Sequence, residues 1–253
     1  MIALKNNQPT IIYLHLPKCA GNSIYDLFLQ EYGRFRVLVE CLSPQNNANK
    51  IKWKLNPFNA WRYRAVCAHM PYGAHRYLKH AVYTTILRHP VERVISSYFY
   101  SKENHFDKYG KRIREGKLTL EQFSAMQGIE NTMTRWLYPY ENFTVVNLGQ
   151  HVLYGKDKRL SESYLEGAKK TLDQCCAVGI FEDLEKSICL FKKILGWSDD
   201  ISLTWKNKTR SKQDASNIDG NTIAAIAEAN AIDLLLYEYA KEKYLRLCRE
   251  YNV

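Results

Sequence analysis

The sequence predicts an α/β protein with a central parallel sheet flanked by helices. Short apolar segments of strand length alternate with segments whose apolar residues have helical spacing. The chain has 253 residues, of which 46% are hydrophobic, and this is enough for a sizeable core. No internal repeat and no convincing linker divides it. We therefore expect residues 1–253 to form a single domain.

The predicted strands are short runs of apolar, β-branched and aromatic residues that end at turn-forming or charged residues. They are residues 11–16, 35–39, 64–68, 81–87 and 175–180. The predicted helices carry apolar residues three or four positions apart. They are residues 24–33, 90–98, 119–137, 163–172, 184–195 and 222–247. The polar stretches 43–60 and 206–220 are predicted loops.

The loop between the first strand and the first helix carries residues suited to binding an anion. Pro17 cannot extend a central strand, so the strand ends there. Gly21 tolerates unusual dihedral angles, and Asn22 or Ser23 can cap the following helix. Such a turn aims backbone N–H groups and a helix N-terminus at one point. Lys18 adds a positive charge but precedes the glycine, so the loop is not the GxxxxGK[ST] signature of ATPases.

Three candidate functional residues follow directly after predicted strands. They are Lys18, His69 and Arg88. Because the carboxyl ends of parallel strands share one edge of an open sheet, and ligands bind in the crevice there, we expect these side chains to lie together. His75 is a weaker candidate for a functional histidine, and His15, inside the first strand, is expected to be a core or supporting residue.

The charge of the chain favours anionic partners. Lys and Arg number 36 against 26 Asp and Glu, which gives a formal net charge of +10 and a pI of about 9.1. Nucleic acid, an acidic glycan or a phosphate-rich cofactor would all suit this excess. The basic stretch 101–118 is interpreted either as a solvated connector or as a wall of the acceptor groove.

Two further patterns bear on the compartment. No run of eighteen apolar residues predicts a membrane span, and the N-terminus lacks the apolar region of a signal peptide. The seven cysteines include no C-x-x-C pair, which argues against a disulfide framework and against a zinc site. These features predict a cytoplasmic protein without an integral membrane segment and without a metal.

Residues 15–24, His-Leu-Pro-Lys-Cys-Ala-Gly-Asn-Ser-Ile, resemble the 5′-phosphosulfate loop of carbohydrate sulfotransferases, which usually reads close to H-x-P-K-T-A-G-T-S. The resemblance implies a P-loop-NTPase-like sulfotransferase fold and 3′-phosphoadenosine 5′-phosphosulfate (PAPS) as the donor. It implies that Lys18 stabilises charge on the leaving phosphate. Backbone amides of the loop would hold the 5′ side of the donor, and these belong to Cys19, Ala20, Gly21, Asn22 and Ser23. Cys19 replaces the usual threonine, and its thiolate is expected to be favoured at a helix N-terminus.

Residues 85–98 resemble the 3′-phosphate motif of the same family, R-[DN]-P-x-x-R-x-x-S-x-Y. The resemblance implies that Arg88 and Ser96 hold the 3′-phosphate, a role that suits the planar fork of a guanidinium. The segment around His69 is similar to the Gly-His-x-x-Tyr/Phe-Gly segment of glycan O-sulfotransferases, in which the histidine is the catalytic base. Arg210 lies in a basic stretch where the family has a loop that closes on the nucleotide.

The function implied by these resemblances is in-line transfer of a sulfuryl group from PAPS to an acceptor hydroxyl, most simply that of a carbohydrate. Two other functions stay open on the sequence. A kinase-like transferase would explain the phosphate loop, although the lysine position and the absence of acidic metal ligands oppose it. A non-enzymatic binder of acidic glycan or nucleic acid would explain the charge, although recognition motifs for nucleic acid are absent from the sequence.

Overall fold

The computed structural model describes residues 8–41, 61–69, 72–73, 75, 78, 80–105, 107, 109–139, 160–203 and 218–253, with side chains for all of these except 40, 41, 68 and 69. The described part contains a five-stranded parallel sheet. Its strands are β1 (Thr10–Leu14), β2 (Val37–Cys41), β3 (Ala65–His69), β4 (Ala81–Leu87) and β5 (Cys175–Ile180). The predicted α/β class is confirmed, and the extent of one domain over residues 1–253 stays a prediction.

The strand order β2-β3-β1-β4-β5 places β1 in the centre of the sheet. Leu14 at the end of β1 pairs with Ala68 of β3 and with Thr85 of β4, and Leu87 pairs with Ile180 of β5. The carboxyl ends of the strands therefore lie at the same edge. The segments that follow β1, β4 and β5 leave from this edge, which is the usual location of ligand sites in open parallel sheets.

The helices of the described part pack on both faces and at one side of this sheet. They are α1 (Gly21–Tyr32), α2 (Pro90–Glu103), α3 (Gly110–Arg114), α4 (Leu120–Ser124), α5 (Thr132–Leu137), α6 (Glu162–Gln174), α7 (Leu184–Leu195), α8 (Gly220–Ala229) and α9 (Ala231–Glu250). Within the described ranges, none of them combines the length and the apolar character that a membrane crossing requires.

The two faces of the sheet are both buried, as expected for a parallel sheet between helical layers. Alternate residues of β1 supply both faces, because successive side chains of a strand point in opposite directions. Ile12 and Leu14 belong to a cluster with α5, α6 and α9, whereas Ile11 and Tyr13 belong to a cluster with α1 and α7. A third cluster joins α2, α3, α4 and α8.

The helix predicted over residues 222–247 is wrong in one respect, since α8 and α9 are separated at Asn230. This residue is fully buried, and its Oδ1 atom accepts the backbone N–H of Asn131 at 3.0 Å. Its Nδ2 atom donates to the carbonyl of Ile226 at 2.9 Å. The predicted helix over residues 119–137 is also divided, into α4 and α5, and Asn131 precedes α5 in a left-handed conformation. Two distant asparagines thus set both helix boundaries.

Asp233 of α9 caps α5 within the same buried region. Its carboxylate accepts the backbone N–H groups of Met133 and Thr134 at 3.0 and 2.7 Å, and the hydroxyl of Thr134 at 2.7 Å. The backbone N–H of Asp233 donates in turn to Oδ1 of Asn131 at 3.0 Å. These bonds satisfy the first N–H groups of α5, which have no partner inside the helix.

Candidate active site

The loop between β1 and α1 holds two residues in a conformation that side chains rarely adopt. Lys18 has φ +68° and Ala20 has φ +62°, so both lie in the left-handed region. A non-glycine residue there costs about 1–2 kcal/mol, and such strain is concentrated at functional loops. Ala20 precedes α1 and makes no side-chain cap, in contrast to the predicted cap by Asn22 or Ser23. The first N–H groups of α1 therefore face the loop without a side-chain partner from the cap position.

Gly21, the first residue of α1, is required by the position of a neighbouring histidine. A Cβ atom built on Gly21 would fall on the imidazole of His15. The ring of His15 also stacks on Tyr13, with ring centroids 5.9 Å apart. His15 therefore follows β1 and does not lie inside the strand as predicted, and its ring lies against the loop that leads into α1.

Lys18 lies beside α2. Its Nζ atom is 4.0 Å from the centroid of the Tyr100 ring. Burial lowers the pKa of Lys18 to about 8, and the positive charge of Arg88 adds to this effect, while Glu103 opposes it. The amine of Lys18 is thus largely protonated at neutral pH. The nearby charge of Arg88 makes this position favourable for an anionic ligand.

Arg88, the first residue after β4, meets the same loop. Its Nη1 atom donates to the carbonyl of Lys18 at 3.4 Å, and its Cζ atom is 4.4 Å from the centroid of the Phe181 ring. Its Nη2 atom lies 3.8 Å from a carboxylate oxygen of Glu92. Its Nε atom is buried and makes no hydrogen bond among the described residues. The guanidinium therefore keeps donor capacity for a ligand at this edge.

Ser96 lies on the strip of α2 that faces the loop. Arg93, Ser96 and Tyr100 are three and four positions apart, so they share one face of the helix. At one end of this strip Tyr100 contacts Lys18 of the loop, and at the other Arg93 is buried and bonded to Ile129. Ser96 is half-buried between them. Its role as a phosphate ligand stays a prediction.

The structure describes the side chains of Lys18 and Arg88 but only the backbone of His69. The backbone of His69 ends β3, where it pairs with Cys41 of β2, and its side chain lies outside the description. His69 as a base therefore stays a prediction. Arg210 falls within residues 204–217, which lie outside the described ranges. Lys18 and Arg88 are brought together at the carboxyl edge, as predicted.

His75 does not join this group. Its Nδ1 atom is 2.8 Å from the hydroxyl of Tyr83, which also accepts the backbone N–H groups of Gly73 and His75. Tyr83 lies five residues before Arg88, a separation of about 16 Å along a strand. His75 and Tyr83 line an open cavity of about 560 Å³ near the amino ends of the strands, together with Pro9 and Gln174.

The expectation of a favoured Cys19 thiolate is wrong. Cys19 is fully buried, and burial raises its pKa to about 12 even though Arg93 and Arg88 act in the opposite direction. Its Sγ atom donates to the carbonyl of Pro17 at 3.6 Å. Desolvation of the thiolate outweighs the helix N-terminus and both cations, so Cys19 acts as a core residue of the loop.

Glu182 is a supporting residue whose role the sequence did not reveal. It follows β5, and its two carboxylate oxygens accept the backbone N–H of His89 and the hydroxyl of Tyr237, each at 2.9 Å. The ring of His89 packs edge-on against Tyr237, with centroids 5.4 Å apart. The turn that carries Arg88 is thereby fixed to β5 and α9. In the sequence, the position of Glu182 is marked by the run Val-Gly-Ile-Phe-Glu at residues 178–182, at the end of the last strand.

Arg93 was part of the recognised motif but had no assigned role. It is 1% exposed, and its Nη2 atom donates to the carbonyl of Ile129 at 2.8 Å and to Oδ1 of Asn230 at 3.5 Å. Arg93 therefore links α2 to the asparagine that separates α8 from α9. Within the described ranges, no three His, Cys, Asp or Glu side chains converge as a metal site would need.

Comparison with known proteins gives three results. The family described as the sulfotransferase family matches residues 3–240. Heparan-sulfate 6-O-sulfotransferase 1-B of Danio rerio is 22% identical over 276 residues, and the alignment covers 94% of this chain but 66% of that relative, just under two thirds of its length. The crystal structure of a sulfotransferase from Alicyclobacillus acidocaldarius covers 88% of this chain and 95% of that chain at 14% identity, with a TM-score of 0.39, too low a likeness to align single site residues.

Proposed function

Because the chain belongs to the sulfotransferase family, we propose that it transfers a sulfuryl group from PAPS to a hydroxyl of a carbohydrate acceptor. The observation that supports this most strongly is the meeting of Lys18 and Arg88 at the carboxyl edge of the sheet, beside the first turn of α1. Two cations and a helix N-terminus suit a donor that carries phosphate at both ends of its ribose. That donor is the co-substrate, and the proposal requires its binding here.

On the donor side, each group has a separate task. The backbone N–H groups of Ala20, Gly21 and Asn22 hold the 5′-phosphosulfate, while those of Cys19 and Ser23 donate to backbone carbonyls at 3.3 and 3.0 Å. Arg88 with Ser96 holds the 3′-phosphate and so fixes the register of the donor. Lys18 stabilises the negative charge that develops on the bridging oxygen of the leaving phosphate. A contact of Arg210 with the nucleotide stays a prediction from the family resemblance, since this residue lies outside the described ranges.

On the acceptor side, His69 removes the proton of the attacking hydroxyl, a task for which an imidazole suits neutral pH. The bond from the acceptor oxygen to sulfur forms as the bond from sulfur to the 5′-phosphate oxygen breaks. The hydroxyl proton passes to His69, and the leaving group is 3′-phosphoadenosine 5′-phosphate (PAP). A sulfuryl group carries less charge than a phosphoryl group, so the two cations suffice and the proposal calls for no metal.

The acceptor is proposed to be an acidic glycan. The net charge of +10 favours a polyanionic chain, and the Danio rerio relative is by name a heparan-sulfate 6-O-sulfotransferase. Because the chain spans just under two thirds of that relative, the acceptor does not follow from the likeness alone. The excess of positive charge would attract such a chain to the protein.

The direct test is transfer of labelled sulfate from PAPS to a panel of glycans, with desulfated heparan sulfate, desulfated chondroitin and neutral glucan as acceptors. We expect label in an acidic glycan, and a loss of about 100- to 1,000-fold in Lys18→Ala, the range for removal of one charge-stabilising group. Activity of the wild-type protein is expected to persist in a chelator. Phosphate transfer from ATP that requires magnesium would instead favour the kinase-like function.

Absence of turnover with any acceptor, together with glycan or oligonucleotide binding that falls steeply with salt, would favour a non-enzymatic binder. His69→Ala tests the base separately. Turnover should fall by about 100-fold or more while PAP binding is retained, since general base catalysis contributes about that factor. Unchanged turnover in His69→Ala would remove this residue from the mechanism.

A further inference from the structure

The two cations of the proposed donor site each lie against the face of an aromatic ring. The ammonium of Lys18 is 4.0 Å from the ring centroid of Tyr100, and the guanidinium carbon of Arg88 is 4.4 Å from that of Phe181. The two rings come from different elements, since Tyr100 belongs to α2 and Phe181 follows β5. Both distances are well inside the range of about 6 Å over which a ring attracts a cation.

The two rings can stabilise two cations that repel each other. Lys18 and Arg88 are like charges in contact with one loop, and Arg88 lowers the pKa of Lys18. Glu92 lies 3.8 Å from Arg88 and Glu103 acts electrostatically on Lys18, and a closer carboxylate would hold either cation more firmly but would also compete with the anionic donor. The face of a ring attracts a cation through its quadrupole without adding a net charge, so the N–H groups stay available to phosphate.

We propose that Tyr100 and Phe181 are positioning residues that hold Lys18 and Arg88 in place for the two phosphate groups of the donor. This inference rests on the proposed function, because it takes the ligand to be a nucleotide with phosphate on both the 3′ and 5′ sides. The two rings have different consequences. Phe181 acts through Arg88 on recognition of the 3′-phosphate, and Tyr100 acts through Lys18 on the charge at the leaving oxygen.

Phe181 is tested by calorimetric titration with PAP and with adenosine 5′-phosphate, which lacks the 3′-phosphate. Phe181→Leu keeps an apolar side chain against its core cluster but removes the ring. We expect PAP to bind about three- to tenfold more weakly, as the loss of one cation–π contact implies, and adenosine 5′-phosphate to bind unchanged. Phe181→Tyr keeps the ring face and should bind PAP like the wild type. Equal PAP affinity in Phe181→Leu and the wild type would overturn this half of the proposal.

Tyr100 is tested by the pair Tyr100→Leu and Tyr100→Phe. Lys18 is faced by the charged groups of Arg88 and Glu103 and by the thiol of Cys19, and neither substitution changes these groups. Loss of the ring removes an interaction that favours the ammonium, so the alkaline limb of kcat/KM should move to lower pH in Tyr100→Leu and stay in place in Tyr100→Phe. We also expect kcat to fall about three- to tenfold in Tyr100→Leu with the KM for PAPS changed less.

A control substitution and a second measurement separate the role of the rings from failure of the proposed function. Phe35→Leu removes an aromatic ring that is 93% exposed and lies before β2, far from the carboxyl edge, and should leave every value unchanged. The pH dependence of reductive methylation at Lys18 reports its pKa without any donor, so it tests the role of Tyr100 even if PAPS proves not to be the substrate. A methylation profile that is identical in the wild type and Tyr100→Leu, or one shifted equally in Tyr100→Phe, would refute the role of the ring.

Discussion

The Nη1 atom of Arg88 donates a hydrogen bond to the backbone carbonyl of Lys18 at 3.4 Å. This contact joins the ends of β4 and β1, which are adjacent in the sheet but 70 residues apart in the chain. It also orients the carbonyl of a residue that is held in the left-handed region. The side chain proposed for one phosphate group thereby supports the loop proposed for the other, so donor recognition and loop geometry depend on each other.

The activity should depend on pH through Lys18, whose pKa is lowered to about 8. The ammonium is lost as pH rises through that value, so kcat/KM for PAPS should fall about tenfold between pH 7 and pH 9. A bound anion favours the ammonium, so PAP binding above pH 8 should take up a proton. Calorimetry in buffers of different ionisation enthalpy measures this uptake.

Lys18→Arg is the control for that prediction, because a guanidinium stays charged throughout this range. Its PAP affinity should be nearly constant between pH 7 and pH 9. A wild-type affinity that is equally constant would show that the charge of Lys18 does not contribute to binding.

Gly21→Ala should damage the loop, because the added methyl group would overlap the imidazole of His15. We expect a lower melting temperature and PAP binding reduced by about tenfold or more, since bound phosphate tolerates little displacement of the loop. Gly220→Ala is the matched control, because a Cβ atom at this position of α8 meets open space. Differential scanning calorimetry and PAP titration compare the two.

The double substitution His15→Ala with Gly21→Ala removes the overlap and should recover part of the melting temperature. If Gly21→Ala alone behaves like Gly220→Ala, the close approach of His15 to the loop is contradicted.

Cys19 should react slowly with iodoacetamide despite its place at the start of a helix. It is fully buried and its pKa is raised to about 12, whereas Cys189 is exposed. Peptide mapping after brief labelling should find Cys189 modified and Cys19 protected, with both modified in urea. Rapid labelling of Cys19 in the folded protein, blocked by PAP, would instead restore the reactive thiolate that the sequence suggested.

Asp233→Ala should be strongly destabilising, because it leaves the buried N–H groups of Met133 and Thr134 without their acceptor. The loss in free energy of unfolding should be about 2–4 kcal/mol, as expected for unsatisfied buried groups that bonded to a charge. Asp219→Ala removes an exposed cap from α8, whose Oδ1 atom accepts the N–H of Thr222 at 3.0 Å, and should cost less. Urea denaturation followed by circular dichroism measures both, and equal losses would contradict the importance of the buried cap.

The sequence predicted the sheet well and its helical surroundings less well. The bounds of β4 and β5 agree with prediction residue for residue, because each is a short run of β-branched or apolar residues. The separation of α8 from α9 was missed, because the side chain of Asn230 is held by partners far away in the chain, Arg93 and Asn131. The spacing of apolar residues within the helix gives no sign of such a partner.

The candidate site was likewise predicted only in part. Lys18 and Arg88 were predicted to meet because both follow strands of a parallel sheet, and topology fixes where those strands end. The rings of Tyr100 and Phe181 were not predicted, since their contacts depend on how α2 and the end of β5 pack. The thiolate of Cys19 was predicted to be favoured, whereas burial raises the pKa of this thiol. Burial depends on neighbours that sequence position does not reveal.

The most direct test of the central claim is a comparison of PAP and adenosine 5′-phosphate binding to the wild type and to Arg88→Ala. If Lys18 and Arg88 form the two-phosphate site, the wild type should prefer PAP, and Arg88→Ala should weaken PAP by about 10- to 100-fold, the value of a charge-assisted contact to phosphate. The same substitution should weaken adenosine 5′-phosphate binding by up to about threefold, through the lost contact to the Lys18 carbonyl, so most of the preference for PAP disappears. Equal affinities of the wild type for the two nucleotides, or an undiminished preference in Arg88→Ala, would contradict the account.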